Sequence, residues 1–307
     1  MSKPGKTISR KDFIKKSSIG IIGAGMIGGG PVSFMRSKTS LAVSQIGKTG
    51  IETTKLGIGA TRTQEPNIIR AAIDGGIRFL DTGRSYANGK NEEMIGDVLK
   101  DFRKEITIQS KVKLSQGQIQ GKLKNESREN IVSRIFNKSL EESLLALQTD
   151  YIDIMLFHGP EKTSLLFDEA VLKAFESAKT SGKIRACGFS CHSNMADLVE
   201  HNIKNPFYDV IMVAFNHNGG YIHANSGRKY DWDQVALVNE LKIATAAGTG
   251  IVAMKTCSGG PHSIDSGREP SIPQAVRWIL NQNFIHAAVP AMASFSQVES
   301  ILEENRI

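Results

Sequence analysis

The feature that most constrains this chain is a period. From residue 45 onward, short apolar runs alternate with longer amphipathic ones, eight times over. The strand-like runs are Lys55–Ala60, Ile77–Asp81, Ile106–Val112, Tyr151–His158, Lys183–Ser190, Tyr208–Asn216, Gly250–Thr256 and Ala287–Met292. Between and after them lie helix-like segments at Pro66–Asp74, Asn91–Arg103, Ser127–Leu147, Phe167–Ser181, Asn194–His201, Gln234–Ala247, Pro273–Asn281 and from Ser296 onward. Strict alternation implies parallel strands joined by helical crossovers. Eight units between residues 45 and 307 fit a closed α/β barrel, for which about 250 residues are typical. The expected fold is therefore a (β/α)8 TIM barrel, with an open doubly wound sheet as runner-up. A short N-terminal β-hairpin, Ile46–Ala60 with Gly50 in its turn, precedes the first helix.

Residues 1–44 differ in kind and are expected to be a leader, with the barrel at 45–307. The net charge of +7 belongs to this end: residues 1–50 hold nine Lys or Arg against Asp12 alone, and the remainder carries 29 basic and 30 acidic residues. A nearly neutral body argues against a nucleic-acid surface. Ser9-Arg10-Lys11-Asp12-Phe13-Ile14-Lys15 resembles a twin-arginine export signal with Lys11 in place of the second arginine. Ala42-Val43-Ser44 offers a small-residue cleavage site. The resemblance implies the twin-arginine export machinery as a partner and a periplasmic or otherwise exported protein, cytoplasmic if the Lys11 variant is not used. The apolar stretch Ile19–Met35 is too short and glycine-rich for a stable membrane span, which needs about 20 apolar residues. Gly23-Ala24-Gly25-Met26-Ile27-Gly28 matches a dinucleotide fingerprint, but no Asp or Glu stands between Asp12 and Glu52, and Gly29-Gly30-Pro31 occupy the place of a helix start. A Rossmann reading is rejected. Cys187, Cys191 and Cys257 fit neither a disulfide framework nor a zinc site; the first two, four apart in a strand, are separated by roughly 13 Å.

In a barrel the carboxyl ends of the strands meet at one face, where active sites sit. The expected strand ends deliver Asp81 and, five residues on, Tyr86; then Lys111; then His158 before Gly159-Pro160; then Ser190. Each alone has a structural reading: a turn-forming aspartate, a half-buried tyrosine, a solvated lysine, a core histidine. Together they form an acid–base set. An ammonium beside a phenol lowers its pKa, Asp81 is placed to hold Lys111, and a neutral His158 is suited to orienting a carbonyl oxygen. A metal-dependent hydrolase or isomerase is poorly supported, because the other histidines, at 192, 201, 217, 223, 262 and 286, have no strand-end carboxylates to join them.

Over roughly residues 46–305 the sequence resembles the aldo-keto reductase family. The resemblance rests on Gly76-Ile77-Arg78-Phe79-Leu80-Asp81-Thr82-Gly83 through Tyr86 and Glu92 to Gly96, on Asp150-Tyr151-Ile152-Asp153 through His158-Gly159-Pro160, and on Gly182-Lys183-Ile184-Arg185 through Gly188-Phe189-Ser190. It implies a barrel that binds NADP(H) in preference to NAD(H) and interconverts a small carbonyl compound and its alcohol. Tyr86 would be the general acid or base, tuned by Lys111 and Asp81, with His158 orienting the carbonyl. The implied cofactor contacts are Gly59, Thr61, Asp81, Ser190, Cys191, Met254, Lys255, Ser294 and Gln297; no metal is implied. Several positions depart from the family pattern: Cys191 replaces an asparagine, Met212 a glutamine, Met254 an aromatic and Gln297 an arginine. The runner-up function is a non-catalytic cofactor-binding or regulatory barrel that keeps the four acid–base residues. Tyr221, Tyr230 and Trp232, in the long loop after the sixth strand, are expected to shape the substrate pocket.

Overall fold

The structure is a computed structural model that describes residues 40–120, 122, 126–160, 162–223, 226–257 and 271–307. The twin-arginine-like segment and the glycine run at 23–28 lie outside the described residues. The chain opens with an antiparallel hairpin, β1 (Val43–Gln45) and β2 (Glu52–Thr54), with Val43 opposite Thr54. Gly47 and Gly50 both adopt positive φ in its turn, at 54° and 71°. The hairpin starts earlier than the sequence suggests. Val43 and Ser44, expected in the leader, pair with Thr54 and Thr53, and Leu41 bridges Arg306, so the 44/45 boundary falls inside β1.

The strands that follow are β3 (Ile58–Gly59), β4 (Phe79–Asp81), β5 (Thr107–Val112), β6 (Ile152–His158), β7 (Ile184–Cys191) and β8 (Val210–Ala214). A second hairpin, β9 (Gly220–Ile222) and β10 (Lys229–Asp231), precedes β11 (Gly250–Met254) and β12 (Ala287–Ala288). Leaving out the two hairpins, the strands form one eight-stranded parallel sheet in chain order. Parallel bridges Leu56–Ala288 and Gly59–Ala291 bring its first and last strands together. The fold is thus a nearly closed (β/α)8 barrel. Its closing seam is shorter than the apolar runs suggest. Pro290 has no N–H to continue the ladder, and it only accepts, from Gly59 N at 2.9 Å. Around the barrel lie α1 (Pro66–Asp74), α2 (Lys90–Leu99), α3 (Gln116–Gln120), α4 (Arg128–Leu147), α5 (Thr163–Leu166), α6 (Glu169–Thr180), α7 (Met195–Lys204), α8 (Gln234–Ala247), α9 (Ile272–Leu280) and α10 (Phe295–Asn305). Their starts follow local chemistry: Ser127 accepts from Asn130 N at the head of α4, and Asp233 from Ala236 N at the head of α8. Among the described residues no helix is long and apolar enough to cross a membrane.

Period-two alternation splits the core into two shells. On β6, Ile154 and Leu156 point into the lumen while Met155 and Phe157 pack under the helices. On β7, Ala186 faces the lumen, and Cys187, Phe189 and Cys191 face outward. On β5, Ile108 and Val112 face outward, so Gln109 and Lys111 point inward. The hairpin β1–β2 closes the end of the lumen opposite the strand carboxyl ends. Ile46 and Ile51, 0% and 1% exposed, join the lumen cluster, and Lys48 N donates to Gly248 O just before β11. Replacing Ile46 with alanine removes buried methylenes from a plug with no spare side chain to refill it. We expect Ile46→Ala to lower unfolding free energy by about 2–5 kcal/mol and Ile46→Val by about 0.5–1.5, read from urea denaturation midpoints.

Candidate active site

The site begins with a charge placed in an apolar lumen. Lys111 is 1% exposed. Its Nζ donates to Asp81 Oδ1 and to Thr82 O, both at 2.6 Å. Gln109, paired in register with Asp81, donates from Nε2 to the same carboxylate oxygen at 2.7 Å. The ammonium also lies 4.8 Å from the centre of the Tyr86 ring. Burial works to lower the Lys111 pKa, but Asp81 and Tyr86 more than offset it, and the net shift is upward. Lys111 therefore stays charged.

Tyr86 stands on a loop with unusual backbone. Ala87 and Asn88 both adopt left-handed conformations, at φ 49° and 54°, and Gly89 follows at 90°. A non-glycine pair at positive φ costs energy and persists only where the surroundings over-determine it. Those ties are visible. Thr82 Oγ1 donates to Asn91 Oδ1 at 2.7 Å, and Asn91 Nδ2 donates to Ala60 O and Thr63 O, at 3.0 and 3.1 Å. Arg84 reaches Glu92 at 2.9 Å, and Ser110 Oγ donates to Glu92 at 2.6 Å. The Arg84 guanidinium crosses Gly89, so a side chain there would be strained by the positive φ and would displace that guanidinium.

The phenol does not behave as the sequence suggests. Burial raises the Tyr86 pKa above its ordinary 10.0. Lys111 pulls it down, Asp81 pushes it up, and a hydrogen bond with Thr61 helps to lower it, yet the net direction is upward. The expected lowering by Lys111 is real but smaller than desolvation. Tyr86 holds its proton at neutral pH.

His158 closes the set, its ring meeting Tyr86 edge-on with centroids 5.9 Å apart. Ser85 Oγ lies 3.3 Å from His158 Nδ1. Burial, then the Lys111 charge, lowers the His158 pKa from 6.5 to about 3. The imidazole is neutral, as expected. Asp81, Tyr86, Lys111 and His158 therefore converge.

The other expected contacts divide. Gly59 pairs in register with Asp81, and Thr61 reaches Tyr86. Ser190 sits opposite His158 on β7, its hydroxyl buried without a hydrogen-bond partner among the described residues. Met254 and Met212 belong to the lumen cluster. Lys255 follows β11 at φ 55°, with its ammonium 5.1 Å from the Tyr221 ring centre. Ser294 accepts from Gln297 N at the head of α10, and Gln297 Oε1 accepts from Ala293 N at 2.7 Å. Cys191 is corrected: strand alternation turns its sulfur into the outer, helix-packed shell, where burial raises its pKa and no polar partner is present among the described residues. It presents no thiol to the lumen. Sequence reasoning missed Gln109, although its two-residue spacing from Lys111 marks it as lumen-facing. Its Nε2 also lies 3.4 Å from Met212 Sδ, and its Oε1 has no hydrogen-bond partner among the described residues.

Two outcomes follow from this geometry. Asp81→Asn strips the compensating charge from buried Lys111 and should cost about 3–5 kcal/mol in denaturant unfolding, whereas Asp81→Leu combined with Lys111→Met should cost less. The depressed His158 pKa also sets a sign. Between pH 6.5 and about 3 the unfolded chain binds a proton at this residue that the folded chain does not. Its contribution is complete above pH 6.5 and is lost on acidification through that window. A His158→Gln variant should flatten the stability–pH profile there, and the native imidazole signal should stay constant from pH 8 to about 4 by NMR.

Comparison with known proteins agrees with this architecture. The Aldo/keto reductase family profile matches residues 50–259. The aldo-keto reductase YhdN of Bacillus subtilis is 32% identical over 160 residues, covering 48% of this chain and 46% of that one. The chain spans about half the length of the curated relatives it matches. Among solved structures, the holo form of aldo-keto reductase AKR11C1 from Bacillus halodurans superposes with a TM-score of 0.66 at 20% identity, over 86% of this chain and 90% of that one. An aldo/keto reductase from Klebsiella pneumoniae in complex with NADP and acetate gives 0.63 at 20% identity, over 86% and 90%. These likenesses show the fold, and the profile covers well over half of the chain. The chain belongs to the Aldo/keto reductase family.

Proposed function

We propose that the protein is a nicotinamide-dependent reductase of small aldehydes or ketones, with Tyr86 as the proton donor. One observation carries the reading: a buried, charged Lys111 held between the Asp81 carboxylate and the Tyr86 ring, with neutral His158 alongside. A nicotinamide fits the lumen chemically. Ser190 Oγ and Gln109 Oε1 are buried polar atoms with no hydrogen-bond partner among the described residues, and a carboxamide offers both an acceptor and donors. When bound, the cofactor supplies the reducing equivalent for the carbonyl carbon.

The chain's own residues do the rest. His158 orients the carbonyl oxygen toward the phenol. Tyr86, protonated at neutral pH, gives its proton to that oxygen, which completes the alcohol. The phenolate left behind is stabilised by the adjacent ammonium of Lys111, and Asp81 with Gln109 keeps that ammonium in place. Met212 and Met254 keep the lumen apolar around the reacting groups, which strengthens each of these interactions. NADP is proposed over NAD because the Klebsiella pneumoniae relative binds it. Ser294 and Gln297 stand at the α10 N-terminus, where a phosphate would be favoured.

The test pairs binding with turnover. Fluorescence titration should show saturable NADPH binding, tighter than NADH. Tyr86→Phe should keep that binding while losing about 10²–10⁴-fold in kcat on an aldehyde panel. Absence of binding of either cofactor at millimolar concentration would defeat the proposal. Tight binding with no turnover in the unmodified protein would favour the regulatory barrel instead.

A further inference from the structure

Beside His158 lies a cavity of about 200 Å³, lined by Pro160, His192, Tyr221, His223, Tyr230 and Lys255 among others. It is built from the loops after β6, β7, β8 and β11. Its wall is an ordered stack: Lys255 over Tyr221 at 5.1 Å, Tyr221 on Tyr230 at 4.8 Å and 6°, and Arg228 over Tyr230 at 4.9 Å. Cations at both ends of a stacked phenol pair hold the rings in place. The lining chemistry is mostly that of donors: an ammonium, two phenols and two imidazoles. Among the described residues no carboxylate lines it. Lys255 also takes part in no ion pair found among the described residues, unlike Lys111 nearby.

Among the described residues the charges that act on Lys255 and His192 are positive. Burial lowers the Lys255 pKa first, and the positive charges of Arg62 and Lys111 lower it further. His192 is lowered to about 4 by burial, then by Lys255 and Lys111, and its Nδ1 is buried without a hydrogen-bond partner among the described residues. A half-buried cation among other cations is stabilised when an anion arrives.

We propose that this cavity is an oxyanion subsite, and that the substrate is a small aldehyde or ketone bearing a carboxylate, held by Lys255 with His192 and Tyr221 while its carbonyl meets Tyr86 and His158. The proposal rests on the carbonyl-reduction reading for the substrate's other end. The size suits a small ligand: at ~30 Å³ per water, 200 Å³ holds roughly six or seven waters, or a compound of about that many heavy atoms. A dinucleotide is far larger. Ser294 and Gln297, the positions expected to serve the cofactor's phosphate end, follow β12, the strand next to β11, and do not line this cavity, whereas Lys255, itself among the expected cofactor contacts, does. A cofactor phosphate is therefore the competing source of the anion, and the experiment separates the two.

The full chain is assayed with NADPH and two aldehydes, 4-oxobutanoate and 4-methylpentanal, which carries an isopropyl group in place of the carboxylate. Unmodified protein should prefer the anion by at least tenfold in kcat/KM. Lys255→Met should lower kcat/KM for 4-oxobutanoate at least tenfold more than for 4-methylpentanal, and Lys255→Arg should restore the preference. Equal losses on both aldehydes, accompanied by weaker NADPH binding, would assign Lys255 to the cofactor and overturn the proposal. Calorimetric titration with butanoate, which has no carbonyl to reduce, gives a readout free of turnover. Saturable heat in the unmodified protein and its loss in Lys255→Met support the subsite, even if neither aldehyde is reduced and the carbonyl-reduction reading falls. Butanoate binding that ignores Lys255, or none in the millimolar range, overturns it. Thermal unfolding of each variant reports whether the fold is intact.

Discussion

The buried pair between Lys111 and Asp81 is the constraint on which the rest of the site depends. An ammonium that is 1% exposed cannot remain charged in an apolar lumen without compensation. Here the compensation is nearly complete: a carboxylate and a backbone carbonyl, each at 2.6 Å, with Gln109 bracing the carboxylate from β5. That arrangement requires β4 and β5 in one register, because a one-residue slip would turn Lys111 toward the helices. Functional geometry and strand register are therefore the same requirement. The pair also controls its neighbours. Its Lys111 ammonium adds to the burial that keeps His158 neutral, and on Tyr86 Lys111 offsets part of the desolvation while Asp81 adds to the rise.

The two ends of the barrel divide the work. At one end Ile46 and Ile51 fill the lumen with aliphatic side chains. At the other, the lumen holds the charged pair, and polar ties hold the Tyr86 loop. Asn91 joins that loop to the segment after β3, and Glu92 joins it to Arg84 and Ser110. Two consecutive left-handed residues directly after Tyr86 are the strain those ties sustain. The first turn of α2 is thus part of the site's framework, although neither Asn91 nor Glu92 is itself placed to touch a substrate.

Much of this was legible in the sequence because barrels repeat. The eight-fold alternation fixed the fold, and the strand ends fixed Asp81, Lys111 and His158. Tyr86 came from its spacing to Asp81. What escaped were features that periodicity does not encode. The hairpin β9–β10 stands where the sequence suggests a loop, because its strands of three residues each are too short to show an alternating pattern. The direction of the Tyr86 shift depends on how deep the phenol sits, which no spacing reveals. Cys191 was carried over by position from a family pattern, and alternation along β7 would have turned it outward. Gln109 was available by the same alternation, two residues before Lys111.

The sulfur-bearing residues Met212 and Met254 change the character of the lumen without emptying it of polar groups. A methionine in place of an amide removes directional hydrogen bonds and keeps a polarisable, apolar wall. Gln109 restores one amide to that wall from a different strand. Its Nε2 is committed to Asp81, because a carboxylate oxygen accepts and cannot donate. Its Oε1 is thereby turned to a position with no hydrogen-bond partner among the described residues. The orientation of this amide is set by the same carboxylate that sets Lys111. The residues proposed for acid–base chemistry and the polar lining proposed for a nicotinamide are coupled through Asp81, and a change at that one side chain should be felt by both.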